Sequence, residues 1–189
     1  MAYKRFTIDG YGQLELNNVA FRRDGRVEAQ CALDATDFAS TPAENGMLLS
    51  VDRVNRVAKF ADTSLGLPIG INYSAEHMYD DYHTGLKDFK LERGTFLPRI
   101  GYLAVGDLFT TNCFGYDTGD YANDAAVKTA TTKTALGTTA VFGEVGTNGV
   151  ITIGPGSDSG SPVAPVLKVV ESTSMPDGQF ALKFQVLAV

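Results

Sequence analysis

Apolar and polar positions along this chain alternate over short runs that turn residues close, the pattern of closely spaced β-strands rather than helices. Val19 and Phe21, then Val27, Ala29 and Cys31, alternate with polar or small neighbours on either side of Asp24-Gly25. Asp-Gly supplies the positive φ of a tight turn, so residues 18–31 are predicted to form a hairpin. Residues 46–60 read as two short strands around a polar turn at 52–55. A strand at 67–71 carries Gly70, the mark of a bulge or of a close backbone approach. Further strands are predicted at 89–94, 102–111, 141–145 and 150–153. The clearest unit is the last: 166–171 and 179–186 alternate strictly, Met175-Pro176-Asp177-Gly178 joins them, and Phe180, Leu182, Phe184 and Val186 share one face.

Three stretches break the pattern. Residues 72–88 read as a long excursion loop, with Ser74 placed to start one or two helical turns. Residues 118–139 are rich in Ala, Thr, Asp and Gly and are expected to be a mobile or partner-ordered loop. Residues 1–17 precede the first convincing hairpin and read as an extended N-terminal arm. The predicted fold is therefore all-β, a small β-barrel or β-sandwich with hairpins, long surface loops and an extended N-terminal arm. We take residues 1–189 as one domain, with a sub-boundary near residue 94 as the alternative.

With 22 acidic and 16 basic side chains the net charge is −6, which disfavours a nucleic-acid binder whose affinity rests on neutralising phosphates. Cys31 and Cys113 are too few and too far apart for a disulfide framework or a zinc site, and are read as free thiols. No apolar run is long enough to span a membrane, and the N-terminus lacks the apolar core of an export signal.

Residues 76–83 hold both histidines and three carboxylates. His83 stands six positions after His77, a spacing that puts them on opposing faces of a helix, so a solvated contact loop is preferred to a metal or catalytic site. Residues 154–162 lack the lysine and following helix of a phosphate-binding loop and read as a flexible connection between strands. No Gly-x-Ser-x-Gly elbow occurs, and Cys113 has no activating neighbour in sequence. Catalytic residues, cofactors and metals are thus all expected to be absent. Arg22, Arg23 and Arg26 read as a solvated hairpin tip.

Between residues 45 and 112 the motifs Gly46-Met47-Leu48-Leu49, Pro68-Ile69-Gly70-Ile71, Leu91-Glu92-Arg93-Gly94 and Val105-Gly106-Asp107 follow in order. This order resembles the all-β head decoration, or cement, proteins of tailed bacteriophages, with a weaker likeness in the final hairpin. The resemblance implies a non-enzymatic virion protein, made in the host cytoplasm. Such a protein would seat on the capsid exterior, bind the major capsid protein and itself as a homotrimer, and reinforce the shell without touching nucleic acid or membrane. Within that reading the expected contact residues are Tyr3, Lys4, Arg5, Phe6 and Ile8 of the arm, then Tyr79 and Tyr82 of the excursion loop. The alternatives are a carbohydrate- or receptor-binding β-sandwich using Tyr79 to Tyr82 or Tyr116-Asp117, another virion part such as a tail-tube component, and, as an outsider, a metal-dependent hydrolase built on His77 and His83.

Overall fold

A computed structural model describes residues 2–77, 85–156 and 165–189. Among them, fourteen strands form two mixed sheets. The larger sheet contains β1 (Tyr3–Arg5), β2 (Leu14–Asn18), β9 (Leu108–Thr111), β10 (Phe114–Asp117), β11 (Val141–Val145), β12 (Ile151–Pro155), β13 (Val166–Ser174) and β14 (Phe180–Ala188). Its order is β1-β10-β12-β11-β13-β14-β9-β2. The smaller contains β3 (Val27–Glu28), β4 (Ala32–Leu33), β5 (Leu48–Asp52), β6 (Val57–Phe60), β7 (Ile69–Asn72) and β8 (Ile100–Gly101), in the order β3-β8-β7-β5-β6-β4. The architecture is an all-β sandwich, and neither ladder closes into a barrel.

The hydrophobic pattern explains the best-formed parts. Leu182, Phe184 and Val186 of β14 are fully buried, each worth about 1.5–3 kcal/mol of apolar transfer, while Lys183 and Gln185 face the other way. Their cluster joins Phe109, Phe114, Ile151 and Leu167 of the larger sheet to Leu48 and Ile71 of the smaller, so both sheets share one apolar core. At the turn between β5 and β6 the Asp52 carboxylate accepts hydrogen bonds from the Val54 and Asn55 backbone N–H groups, each at 3.0 Å. Gly70 lies where any Cβ would collide with Ile100 and the Gly101 backbone, the close approach its place in β7 predicts.

The smaller sheet is strongly curled. Only Ala29, Gln30 and Cys31 separate β3 from β4, its two edges. Those four Cα steps reach about 14 Å at most, whereas the edges of a flat six-stranded sheet stand about 24 Å apart. The sheet therefore bends until its edges approach, leaving an unzipped seam between them.

Four expectations are corrected. Residues 20–24 form a short helix, α1 (Ala20–Asp24), and not the first arm of a hairpin. The Asp107 carboxylate accepts from the Ala20 N–H at 2.8 Å, and Gly25, at φ 68°, ends the helix. Asp-Gly serves a helix end as well as a hairpin, and burying Phe21 decides between them. Residues 89–94 form no strand, because only Leu91 pairs, in an isolated bridge to Ala43. Residues 118–139 are held by two helices, α2 (Asp124–Ala130) and α3 (Lys133–Leu136), capped by the Asn123 and Thr132 side chains and anchored by buried Val127. The expected arm at residues 1–17 is, in its described part, built into the fold: β1 and β2 are the two edge strands of the larger sheet.

Candidate functional site

Period-two alternation along β1 sends Tyr3 and Arg5 to one side and Lys4 to the other. Arg5 forms a bidentate ion pair with Glu44, Nη1 to Oε1 at 2.7 Å and Nη2 to Oε2 at 2.5 Å. Glu44 also accepts from the Gly12 backbone N–H, and the Cys113 sulfur stands 3.9 Å from Arg5 Nη2. Burial pushes the Cys113 thiol up to about 12, with Arg5 opposing and Glu44 adding to the shift, so at neutral pH it is a protonated core thiol and no nucleophile. Burial likewise raises the Tyr3 phenol to about 12.

On the opposite side Lys4 lies 3.4 Å from Asp124 of α2. That carboxylate also accepts from the Tyr116 hydroxyl at 2.6 Å and the Thr7 N–H at 3.2 Å. These hydrogen bonds and the ammonium outweigh the upward pull of burial and hold Asp124 below the usual carboxylate value. The Phe6 ring packs at a tilt against Phe114 and Phe180, with centroids 4.8 and 5.2 Å away, under the Lys128 ammonium. Ile8 packs on the same core. The five arm residues expected to meet a partner are thus engaged with their own chain, and only Lys4 keeps a largely exposed side chain.

Tyr79 and Tyr82 lie outside the described residues, as does His83. Among the described residues no three His, Cys, Asp or Glu side chains are placed to hold a metal ion. Tyr116, an expected saccharide platform, is fully buried with its hydroxyl on Asp124, so it presents no ring to a ligand.

Two surface features that sequence reasoning passed over come forward instead. The first is the turn between Leu91 and Pro98. Leu91 is locked to Ala43 by two backbone hydrogen bonds of 2.9 Å, and the Thr95 hydroxyl and N–H both donate to the Glu92 carbonyl. Between these anchors Phe96 is 68% and Leu97 44% exposed, the largest apolar side chains that the described surface offers side by side. The second is the seam of the smaller sheet, a cleft of about 470 Å³ lined by Val27, Glu28, Gln30, Cys31, Arg53 and Arg56. Arg53 Nε donates to Glu28 at 3.1 Å, Nη2 to the Tyr102 hydroxyl at 3.3 Å, and the guanidinium lies 5.5 Å from the Tyr102 ring. Burial opposes ionisation of Glu28, but the Gln30 N–H and Arg53 overcome it and keep the carboxyl below its ordinary value. Burial raises the Cys31 thiol.

The signal for both features was present but scattered. Phe96-Leu97 is an apolar pair next to Gly94, and Arg53 and Arg56 flank an apolar Val54, which is 92% exposed. Neither is periodic, so neither marks an element. Comparison of the chain with protein families, with curated proteins and with solved structures returned no match to any of them.

Proposed function

We propose that this chain is a non-enzymatic structural protein that binds the outside of a tailed-phage capsid through the major capsid protein, and stabilises the shell. The observation that carries this reading is the Phe96-Leu97 knob. A large aromatic and a leucine held out to solvent by a turn hydrogen-bonded at its base have the composition and rigidity of an interface anchor. The knob follows directly on Leu91-Glu92-Arg93-Gly94, one of the motifs whose order resembles cement proteins. The Val105-Gly106-Asp107 motif supports the same reading: Gly106 turns at φ 93°, and the Asp107 carboxylate ties the Ala104 and Ala20 N–H groups together at the head of β9. A homotrimer seated on the virion surface is the assembly this reading implies.

The test uses empty capsids of the phage that encodes the chain. Wild-type protein should co-sediment with them and raise their melting temperature. Phe96→Ala/Leu97→Ala should bind at least about tenfold more weakly, with its own melting unchanged. Wild-type protein left in the supernatant at saturating concentration overturns the reading, and retention on saccharide resins in that case moves it to the glycan-binding alternative.

A further inference from the structure

Strand register brings five of the chain's eight arginines to one end of the smaller sheet. Arg22 and Arg23 lie on α1, and Arg26 precedes β3 and accepts the Tyr102 N–H on its carbonyl at 3.0 Å. Tyr102 in turn holds Arg53, which sits with Arg56 in the turn from β5 to β6. All five side chains are exposed. Among the described residues four carboxylates share this end, and three are turned inward: Glu28 to Gln30 and Arg53, Asp52 to its own turn, and Asp107 to Ala20 and Ala104. Of these four only Asp24 faces solvent, paired with Arg23. Among the described residues, arginines thus outnumber solvent-facing carboxylates at this end of a protein whose net charge is −6, with Arg22 already engaged in an interaction of its own.

We propose that this arginine end is a docking surface for the carboxylates of an acidic protein partner, with the cleft beside Arg53 and Arg56 receiving one acidic side chain.

Three observations favour that partner. The basic residues are all arginine, and none of the eight lysines lies in these segments. The planar guanidinium fork matches carboxylates bidentately and sheds water more readily than an ammonium, and arginine is enriched at protein interfaces where lysine is depleted. Arg56 makes no side-chain hydrogen bond or ion pair among the described residues, although it lines the cleft and its neighbour Arg53 is held in place. Arg56 also occupies a left-handed backbone position, φ 55°, that glycine fills more comfortably. Val54, exposed between the two arginines, adds the apolar centre of a protein contact. A nucleic acid would meet the repulsive field of the whole acidic chain. The inference stands independently of the capsid reading.

The experiment is fluorescence anisotropy of the full chain with fluorescein-labelled octaglutamate, at low ionic strength and at about 0.15 M salt. Wild type should bind, and Arg53→Gln/Arg56→Gly should lose at least about tenfold in affinity. A charge-matched Lys133→Gln/Lys168→Gln control should bind like wild type. Arg56→Gly alone should melt at the wild-type temperature or above it, which separates lost binding from lost folding. The proposal is overturned if wild type ignores octaglutamate, if the arginine variant binds as well as wild type, or if a short DNA duplex of equal charge binds more tightly than the peptide.

Discussion

Two arginine–glutamate pairs of the same chemistry sit at opposite fates in this molecule. Arg5–Glu44 joins the edge of the larger sheet to the loop before β5, and the Glu44 side chain is 6% exposed. Arg53–Glu28 bridges the seam of the smaller sheet, with the arginine side chain 65% exposed. The first is packed against Tyr3, Gly12 and Cys113, with the Arg5 side chain only 31% exposed, and belongs to the fold. The second leaves a guanidinium edge in water beside Arg56, which has no side-chain hydrogen bond or ion pair among the described residues. Residue type therefore does not distinguish a structural ion pair from a recognition surface, whereas burial on the arginine side does.

The comparison breaks most visibly at the N-terminus. Removing residues 2–8 should abolish cooperative unfolding, and Phe6→Ala alone should cost about 3–5 kcal/mol in denaturant titrations, because the ring is 4% exposed between Phe114 and Phe180. A native-like melt of the truncated chain would return these residues to the status of an arm.

The two glutamates sharpen it next. Glu44→Ala leaves a part-buried guanidinium and the Gly12 N–H without their acceptor and should cost about 3 kcal/mol. Glu28→Ala, beside an exposed arginine, should cost about 1 kcal/mol. Equal losses for the two, measured by urea unfolding, would refute the distinction.

The smallest effect is pH-dependent. Asp124 titrates below its ordinary value in the fold, so its contribution is present above about pH 4 and fades as pH drops through the folded value. Asp124→Asn should cost about 1–2 kcal/mol at neutral pH, and the gap to wild type should narrow towards pH 3. A gap that is constant with pH would show that the carboxylate's charge does not hold α2.

Local signals were legible where one residue period dominated. The closing hairpin, the turn after Asp52 and the close approach at Gly70 follow from alternation, a carboxylate next to a turn and a missing side chain. The helix at residues 20–24 did not, because Asp24-Gly25 serves two geometries and its N-terminal partner, Asp107, lies 87 residues away. The site was less legible than the fold. The aromatics and cations of the first eight residues look like a free contact segment until β10, α2 and Glu44 are seen to take them up. Phe96-Leu97 and the five arginines carry no periodicity, and the arginines lie in two segments that meet only through tertiary contacts such as those of Arg53 with Tyr102 and Glu28.

The sequence by itself determined the all-β class, most strand positions, the two free thiols and the acidic balance, because strand formation and turn chemistry depend on neighbours a few residues apart. Tertiary structure alone decided that Tyr3–Arg5 and Leu14–Asn18 form the two edges of one sheet, that the other sheet curls to an open seam, and which of two similar ion pairs faces water. Those outcomes depend on which distant surfaces exclude water from each other, a free energy that belongs to pairs of segments and is written in neither one alone.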